Sequence, residues 1–400
     1  MSSEFQHHTG FYLYDPEDRK LLIDHNGDRY FTPASNTKIF TLYAALNLLD
    51  DQLPGLYYKE TRDSLIFWGT GDPSFLYRLL PQSDLLEVLA AFDKPLYFST
   101  SNFHEKPLGP GWSWDDYLYT YSVERSPLPI YGNTVLVKKE DRSPYLTINQ
   151  PFFKGTMFLG DSIIGQSAIV RDVGSNKMVY LPSLNEPEFE LEIPYRYSSG
   201  VVAALLSDTL KKPVKTSKTP LTKAVKTKYS IPTDSALKVM MQESDNFIAE
   251  QLLLVSAGII SDSLNTDIAI QHVKSTFLKD IPDEPQWVDG SGLSRYNLFT
   301  PRSIVWLWDR LLSAYGKERL FPLLAAGGVN GTLKNYYRSP EPYIFGKTGT
   351  LSNNHALSGY LITESGKTLI FSFMNNNYPT ESYPIKKKME EILWQVSQNY

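Results

Sequence analysis

The chain is organised around the stretch Pro33-Ala-Ser-Asn-Thr-Lys-Ile-Phe-Thr-Leu-Tyr-Ala-Ala-Leu-Asn-Leu-Leu49. Past Lys38 it is apolar on nearly every face, which is typical of a helix buried in the centre of a domain. Ser35 lies at the start of that helix. Since residues i and i+3 lie one turn apart on the same face, the Lys38 amine can reach the Ser35 hydroxyl. The stretch therefore predicts a serine–lysine pair at the N-terminus of a central helix.

Short β-like runs predict two hairpins, one near each end of the chain. The first spans residues 10–24 and the second residues 356–373, and a helix follows from about residue 385 to 396. The hairpins can share one antiparallel sheet, flanked by the central and C-terminal helices. Between about residues 53 and 228, short β-like runs broken by Gly, Pro and Asp indicate an inserted, mostly β region. Helical periodicity returns over residues 236–255.

Length and composition describe a globular chain of more than one unit. Its 400 residues exceed the usual single-domain length, so two domains or one domain with a large insertion are expected. A formal net charge of −5 argues against a nucleic-acid partner, because such a partner normally requires a clustered basic excess. Residues 211–228 are rich in lysine but interrupted by prolines, and we interpret them as a solvated linker.

The residue types that are missing exclude further chemistries. With 0 cysteines, thiol catalysis, cysteine metal sites and disulfides are excluded. The six histidines show no metal-ligand spacing apart from the adjacent His7 and His8, so neither a metal nor a cofactor is predicted. His355 is interpreted as a polar loop residue. No apolar run reaches the ~18 residues that a membrane span needs, and residues 1–9 carry no secretory signal.

Three short motifs stand in order: Ser35-x-x-Lys38, Ser244-Asp245-Asn246 and Lys347-Thr348-Gly349. This ordered set is the signature of penicillin-binding proteins and class A β-lactamases. Lys-Thr-Gly occurs once, against ~0.1 expected from composition, whereas Ser-x-x-Lys recurs at Ser235. Ser235 lies in the same predicted helical stretch as Ser244, so one segment would have to form both walls of a cleft. We interpret Ser235 as a helix-start serine.

The motifs predict a division of labour for acyl transfer. Lys38 takes the proton of Ser35, because burial and a second cation, Lys347, depress the pKa of its amine. Ser244 is expected to hydrogen-bond Lys38 and the leaving nitrogen, while Asn246 orients the acyl-group amide of the substrate. Asp245 between them is expected to hold the turn.

The third motif predicts an edge strand along the cleft. Lys347 and Thr348 are expected to bind a terminal carboxylate, and the small Gly349 to let the substrate backbone approach as an extra strand. The backbone amides of Ser35 and Thr350 are expected to form the oxyanion hole, helped by the dipole of the Ser35 helix.

Further stretches carry a family resemblance over most of the chain. They are Gly69-Thr-Gly-Asp-Pro73, Gly111-Trp-Ser-Trp-Asp-Asp116 and Asp289-Gly-Ser-Gly-Leu-Ser-Arg-Tyr-Asn297. With the three motifs, the chain resembles the low-molecular-mass penicillin-binding proteins of the D-Ala-D-Ala carboxypeptidase/endopeptidase type, peptidase family S13. The resemblance implies that Asp116 and Arg295 hold the charged end of a diaminopimelate side chain. A salt bridge within the fold is the alternative explanation of Arg295.

The resemblance also implies the fold and the division of the chain. The fold class is α+β, a transpeptidase/β-lactamase-like domain with an antiparallel sheet flanked by helices and a large β-rich insertion. Residues 1–52 and 229–400 form the split catalytic domain, and residues 53–228 the insertion, as one or two subdomains.

The implied function is that of a serine DD-peptidase, a D-alanyl-D-alanine carboxypeptidase, endopeptidase or both. It acts on peptidoglycan stem peptides through a Ser35 acyl-enzyme and is acylated by β-lactams. One alternative is a β-lactamase or esterase on the same scaffold, with a short-lived acyl-enzyme. Another is a catalytically silent cell-wall binding protein, which would not turn over a D-Ala-D-Ala peptide. Peptidoglycan as substrate implies a periplasmic or extracytoplasmic location.

Overall fold

The structure is a computed structural model that describes residues 6–141, 145–161, 168–183 and 187–400. Its helices, in chain order, are α1 (Lys38–Leu48), α2 (Leu85–Ala91), α3 (Ser199–Leu210), α4 (Thr233–Gln242), α5 (Asn246–Ile260), α6 (Thr266–Thr276), α7 (Pro301–Leu320) and α8 (Ser382–Asn399). The strands are β1 (His8–Asp15), β2 (Lys20–His25), β3 (Gln52–Glu60), β4 (Leu65–Gly69), β5 (Leu96–Ser99), β6 (Thr134–Lys139), β7 (Leu146–Ile148), β8 (Met157–Leu159), β9 (Ala168–Arg171), β10 (Met178–Leu181), β11 (Phe189–Pro194), β12 (Val214–Ser217), β13 (Lys226–Pro232), β14 (Ala325–Ala326), β15 (Ile344–Leu351), β16 (Asn354–Ile362) and β17 (Thr368–Asn376).

One six-stranded sheet joins the two ends of the chain. Its strand order is β14-β15-β16-β17-β1-β2, and every neighbouring pair is antiparallel. The predicted terminal hairpins, β1–β2 and β16–β17, therefore lie side by side, with Leu13 opposite Phe371. This confirms the expectation of a shared antiparallel sheet and the α+β class.

The sheet lies between two cores because side chains alternate along each strand. On β17, Ile370 and Met374 belong to the core that contains α1, α5 and α7. Phe371 and Phe373 belong to the core under α8. Helix α1 is buried from Lys38 to Leu46, as its apolar sequence predicts.

A separate core belongs to the middle of the chain. A five-stranded sheet of order β12-β5-β4-β3-β13 packs with α2 and α3, and two three-stranded sheets, β8-β10-β9 and β11-β6-β7, accompany it. Helices α2 and α3 are additions to the mostly β region that the sequence predicts. They form because their apolar side chains cover this sheet; Leu85, Leu89 and Val202 are buried there.

The chain enters and leaves this middle region on neighbouring strands. β3 pairs antiparallel with β13, and the boundaries predicted at residues 53 and 228 lie within these strands. The division of the chain at those residues stays a prediction. The linker interpretation of residues 211–228 is wrong for β12 and the start of β13, which are hydrogen-bonded into the sheet. Residues 218–225 lie between these strands and are exposed or partly exposed, as a solvated connection would be.

The helical stretch predicted over residues 236–255 is two helices. α4 ends at Gln242 and α5 begins at Asn246, and Ser244 between them has a φ of 62°, which a helix does not accommodate. Within the described ranges, no helix is long and apolar enough to cross a membrane.

Candidate active site

Ser35 lies in a tight turn that leads directly into α1. The turn is the 3-10 helix Ala34–Thr37, and Thr37 Oγ1 donates to Ala34 O at 2.9 Å. Gly292 packs against this turn so closely that a Cβ on it would lie 1.8 Å from Ala34 O, and its φ is +84°. Only glycine fits that position.

Asn36 bonds the Ser35 turn to the sheet, a role that its place in the motif does not reveal. Its Nδ2 donates to Lys347 O at 3.0 Å, and its Oδ1 accepts from Ser358 Oγ at 2.6 Å. Ser358 in turn accepts from Trp308 Nε1 at 2.9 Å. These buried bonds fix the position of the Ser35 turn against β15 and β16.

The Lys38 ammonium group is fully buried and donates to three different segments. Its Nζ lies 3.0 Å from Ser35 Oγ, 2.6 Å from Asn246 Oδ1 and 2.7 Å from Ser291 O. Burial lowers the pKa of Lys38 to about 8, although the nearby carboxylates of Asp289, Asp245 and Glu250 oppose this shift. An amine with this pKa exchanges protons close to neutral pH, as a general base must.

A buried acidic network holds the Ser291 carbonyl beneath Lys38. The Asp289 carboxylate accepts hydrogen bonds from Gly292 N, Ser294 N, Asn297 Nδ2 and Trp112 Nε1, at 2.7–2.9 Å. Its four bonds fold the loop that presents Ser291 O to the lysine.

Glu250 extends this network into the middle region of the chain. Glu250 Oε1 accepts from Ser291 N at 2.8 Å, and Oε2 accepts from Arg125 Nε and Nη2 at 2.9 and 2.6 Å. Both side chains of the ion pair are almost completely buried. Arg125 therefore stabilises, through Glu250, the loop that binds the Lys38 ammonium.

The Ser-Asp-Asn motif occupies the break between α4 and α5. Asp245 accepts from Ile248 N at 2.8 Å as the N-cap of α5, and its other oxygen accepts from Tyr77 Oη at 2.6 Å. Asp245 thus holds this turn, in line with the expectation from sequence. Because of this cap, helix α5 starts at Asn246, beside Lys38.

The two lysines bind the motif in a pairing different from the predicted one. Ser244 Oγ accepts from Lys347 Nζ at 2.8 Å, whereas Lys38 bonds to Asn246. The prediction of a Ser244–Lys38 hydrogen bond is therefore wrong, because Lys38 donates to the Asn246 oxygen instead. Asn246 Nδ2 donates to Tyr121 O at 2.8 Å, so its amide, predicted to face the substrate, bonds to the protein instead.

Lys347 is fully buried on β15, and burial lowers the pKa of its amine well below the ordinary value. Repulsion from Lys38 lowers that pKa further. The prediction from the motifs was the reverse effect, in which Lys347 lowers the pKa of Lys38. Nearby carboxylates stabilise the positive charge of Lys38 more than that of Lys347. The repulsion between the two amines therefore lowers mainly the pKa of Lys347.

The other third-motif residues take alternating faces of β15. Thr348 Oγ1 donates to Thr332 Oγ1 at 2.7 Å, and Thr350, which is exposed, contacts His355 Nδ1 at 2.8 Å. A Cβ on Gly349 would lie 2.5 Å from Pro33 O and 2.9 Å from Ser35 N. The structural reason for this glycine is therefore the close approach of the Ser35 turn, not space for a substrate strand.

His355 is a buried strand residue of β16, so its interpretation as a loop residue is wrong. Its pKa is lowered to about 3 by burial and by the nearby Lys386, which keeps the ring neutral. No group of side chains suited to hold a metal ion occurs in the described part of the chain.

A cleft of about 760 Å³ brings the predicted residues together in front of Ser35. Ser244, Asn246 and Thr350 line it, as do Asp116 and Arg295. Asp116 accepts from Tyr121 Oη at 2.9 Å. Arg295 is exposed and forms no ion pair with the residues that the structure describes, which removes the salt-bridge explanation.

The second Ser-x-x-Lys copy lies elsewhere. Ser235 and Lys238 are on α4 and line a different, open surface groove with Glu318. Their placement agrees with the interpretation of Ser235 as a helix-start serine.

Comparisons with known proteins agree with this architecture. D-alanyl-D-alanine carboxypeptidase DacB of Haemophilus influenzae is 24% identical over 425 residues, which cover 96% of this chain and 88% of that protein. The crystal structure of penicillin-binding protein 4 from Haemophilus influenzae superposes with a TM-score of 0.82 at 23% identity, over 98% of this chain and 96% of that one. The structure of the same protein complexed with a β-lactam superposes with a TM-score of 0.78 at 20% identity and the same coverage.

The fold and the three motifs define a serine acyl-transferase of the penicillin-binding class. A family model described as the D-Ala-D-Ala carboxypeptidase 3 (S13) family matches residues 3–396, and the chain belongs to that family. The predicted family is confirmed, and the protein is a serine-type DD-peptidase.

Proposed function

We propose that Ser35 is the nucleophile of a two-step DD-peptidase reaction with Lys38 as its base. The observation that carries this proposal is the 3.0 Å contact between the fully buried Lys38 Nζ and Ser35 Oγ, which lines the cleft. Ser35 Oγ attacks the carbonyl carbon of the penultimate D-Ala and its proton passes to Lys38. The C–N bond breaks, an ester forms on Ser35, and water then hydrolyses that ester.

Ser244 delivers the proton to the leaving nitrogen in this proposal. Its oxygen accepts a hydrogen bond from Lys347, so its own proton is available to a group in the cleft. Ser244 and Asn246 line the cleft together with Ser35, which places Ser244 within the reaction space. Lys347 contributes by donating a hydrogen bond to the Ser244 oxygen, which orients the Ser244 proton.

The amides of Ser35 and Thr350 bind the oxyanion, and Thr348 and Lys347 favour a terminal carboxylate on the leaving residue. Gly349 supports this arrangement, since it lets β15 approach the Ser35 turn to the distances given above. Asp116 and Arg295 bind the charged end of the side chain at the third stem-peptide position. Their support is their position, because both line the Ser35 cleft.

The substrates are peptidoglycan stem peptides, and β-lactams acylate Ser35 as substrate mimics. The D-Ala-D-Ala carboxypeptidase family and the β-lactam complex of penicillin-binding protein 4 from Haemophilus influenzae support this proposal. Because peptidoglycan lies outside the inner membrane, the site of action is periplasmic or extracytoplasmic.

Intact-mass measurement after exposure to a fluorescent penicillin tests the nucleophile. We expect one adduct on the parent protein, none on Ser35→Ala and an undiminished adduct on the matched control Ser235→Ala. An adduct that persists on Ser35→Ala would contradict the proposal. An adduct lost within seconds, with fast release of hydrolysed penicillin, would identify a β-lactamase instead.

A further inference from the structure

The five-stranded sheet of the middle region has a face that is turned away from its two helices. Phe67 on β4 and Phe98 on β5 belong to the core that contains α2 and α3. Because side chains alternate along a strand, the preceding residues, Ile66 and Tyr97, point to the opposite face. Both are partly exposed there.

Two exposed lysines lie on this face, one on each side of Ile66 and Tyr97. Lys215 on β12 is opposite Tyr97, and Lys59 on β3 is opposite Ile66. Tyr97 and Ile66 are themselves opposite each other. Residues directly opposite in a sheet point to the same face, so the four side chains form one row. We call it the basic row; it crosses three strand spacings, about 14 Å.

The connection from β12 to β13 is held at one end of this face. Thr219 O accepts hydrogen bonds from Trp68 Nε1 at 3.1 Å and from Ser99 Oγ at 2.7 Å. Both donors lie two residues beyond the basic row on their strands, so they point to the same face. The exposed Lys218 directly precedes Thr219. A third lysine therefore has its backbone fixed beside the row.

The positive charges of this region exceed the carboxylates that could neutralise them. Three lysines have a carboxylate partner at 2.8 to 2.9 Å: Lys94 with Glu60, Lys211 with Asp208 and Lys228 with Asp84. Lys59, Lys215 and Lys218 form no ion pair with any residue in the described ranges. Since the whole chain carries a formal net charge of −5, this positive surface is a local feature.

A surface of this kind fits an extended polyanion. The proposed substrate is one, because each stem peptide that ends in D-Ala-D-Ala carries a free carboxylate. A chain of net negative charge repels such a polymer as a whole, so a local group of cations is needed to attract it. Ile66 and Tyr97 are only partly exposed, so the row offers no protruding apolar side chain for insertion into a bilayer. The observations therefore favour the polymer over a membrane surface.

We propose that the basic row binds the peptidoglycan polymer while one stem peptide occupies the Ser35 cleft. The ammonium groups of Lys59 and Lys215 bind carboxylates of neighbouring stem peptides. The proposal rests on the proposed function, since it takes the polymer as the substrate. It gives the row a role that a short soluble peptide does not need, and this difference makes it testable.

Co-sedimentation with purified peptidoglycan sacculi measures the binding. We expect Lys59→Glu/Lys215→Glu to bind sacculi about tenfold more weakly than the parent, as the reversal of two exposed charges predicts. Parent binding should weaken between about 0.05 M and about 0.5 M salt, because salt screens exposed charges. Release of D-Ala from sacculi should fall together with the binding. In contrast, kcat/KM on a soluble pentapeptide ending in D-Ala-D-Ala should stay within about twofold of the parent value.

Two further double variants separate charge from other effects. Lys59→Arg/Lys215→Arg keeps both charges and should bind sacculi as the parent does. Lys238→Glu/Lys317→Glu makes the same change in net charge at exposed lysines of α4 and α7, and should bind within about twofold of the parent. All three variants should label with penicillin at the parent rate, which shows that each is folded.

Equal binding of the parent and Lys59→Glu/Lys215→Glu, or an equal loss in Lys238→Glu/Lys317→Glu, would overturn the role of the basic row. Parent binding to vesicles of phosphatidylglycerol and phosphatidylethanolamine, without binding to sacculi, would overturn it in favour of a membrane surface. A parent protein that binds sacculi but forms no penicillin adduct and cleaves neither substrate would overturn the proposed function and, with it, the part of the row in cleavage.

Discussion

The surroundings of Lys38 and the acyl-side end of the same cleft are built in opposite ways. Lys38 is fully buried and is held by Ser35, Asn246 and Ser291, which come from three segments of the chain. At the other end Arg295 is exposed and forms no ion pair with the described residues, and the Asp116 carboxylate accepts a hydrogen bond from the exposed Tyr121. The groups that we propose for proton transfer are thus held in place without a substrate, whereas the groups that we propose for substrate choice are exposed to water.

This difference sets how much each region should respond to mutation. Removing one partner from a buried charged network costs about 3 to 5 kcal/mol, because the remaining charge is left uncompensated. An exposed charge of the Arg295 kind contributes about 0 to 1 kcal/mol. Substitutions at Lys38 and at Arg295 therefore test whether the buried end of the cleft is more sensitive to mutation than the exposed end.

The largest effect is expected at Lys38. Lys38→Met keeps an unbranched side chain of similar volume but removes the base, so the rate of Ser35 acylation by penicillin should fall by about 10²- to 10⁴-fold. A labelling time course with fluorescent penicillin measures that rate. Lys238→Met, in the second Ser-x-x-Lys sequence, is the control and should label at the parent rate. If Lys238→Met were as slow as Lys38→Met, the loss of rate would not be specific to the buried Lys38.

The next effect is the pH dependence of acylation. Burial holds the pKa of Lys38 at about 8, below its usual 10.5, and only the neutral amine accepts the Ser35 proton. The acylation rate should therefore rise about tenfold per pH unit below that pKa and level off above it. Time courses from about pH 6 to about pH 9.5 measure the profile. A flat profile would mean that Lys38 is already neutral at the acid end, in conflict with the compensation by Asp289 and Glu250.

The smallest effect is expected at Arg295. Arg295→Met should raise KM about two- to fivefold for a stem peptide whose third residue carries a charged side-chain terminus, as expected of an exposed charge. The same variant should leave KM unchanged for a peptide with Ala at that position. Steady-state kinetics on the peptide pair give both KM values. Equal changes in KM on both peptides would show that Arg295 does not bind the charged third residue.

Local patterns in the sequence were enough to predict the sheet, the central helix and the motif order. The apolar run after Lys38 predicted a buried helix, and the β-like runs predicted each terminal hairpin, because these features depend on residues close in sequence. The common sheet was predicted as a way for the two hairpins to pair, and it joins the two ends of the chain. The helical stretch through Ser244 failed for a local reason as well. A residue with a positive φ breaks it; a turn was expected at Asp245, but its neighbour Ser244 is not a residue type that marks a positive φ.

The pairing of the two lysines could not be predicted from spacing. Ser244 and Asn246 are two residues apart, and either can face Lys38 until Lys347 and the backbone of Ser291 take their places. Glu250 and Arg125 were missed for the same reason, since no local pattern links two charges 125 residues apart. The sequence does show one acidic residue, Glu250, in the otherwise apolar run of α5. Such a residue indicates a buried carboxylate that needs a partner.

The ion pair of Arg125 with Glu250 has a consequence for how this chain can change over generations. Residues 53–228 supply the only guanidinium that neutralises Glu250 in the described ranges, and Glu250 secures the carbonyl on which the Lys38 ammonium rests. A descendant protein that lost this region would keep the buried Glu250 carboxylate without its cation. That carboxylate is connected to Lys38 through Ser291. Shortening of the chain and replacement of Glu250 therefore have to be acquired together.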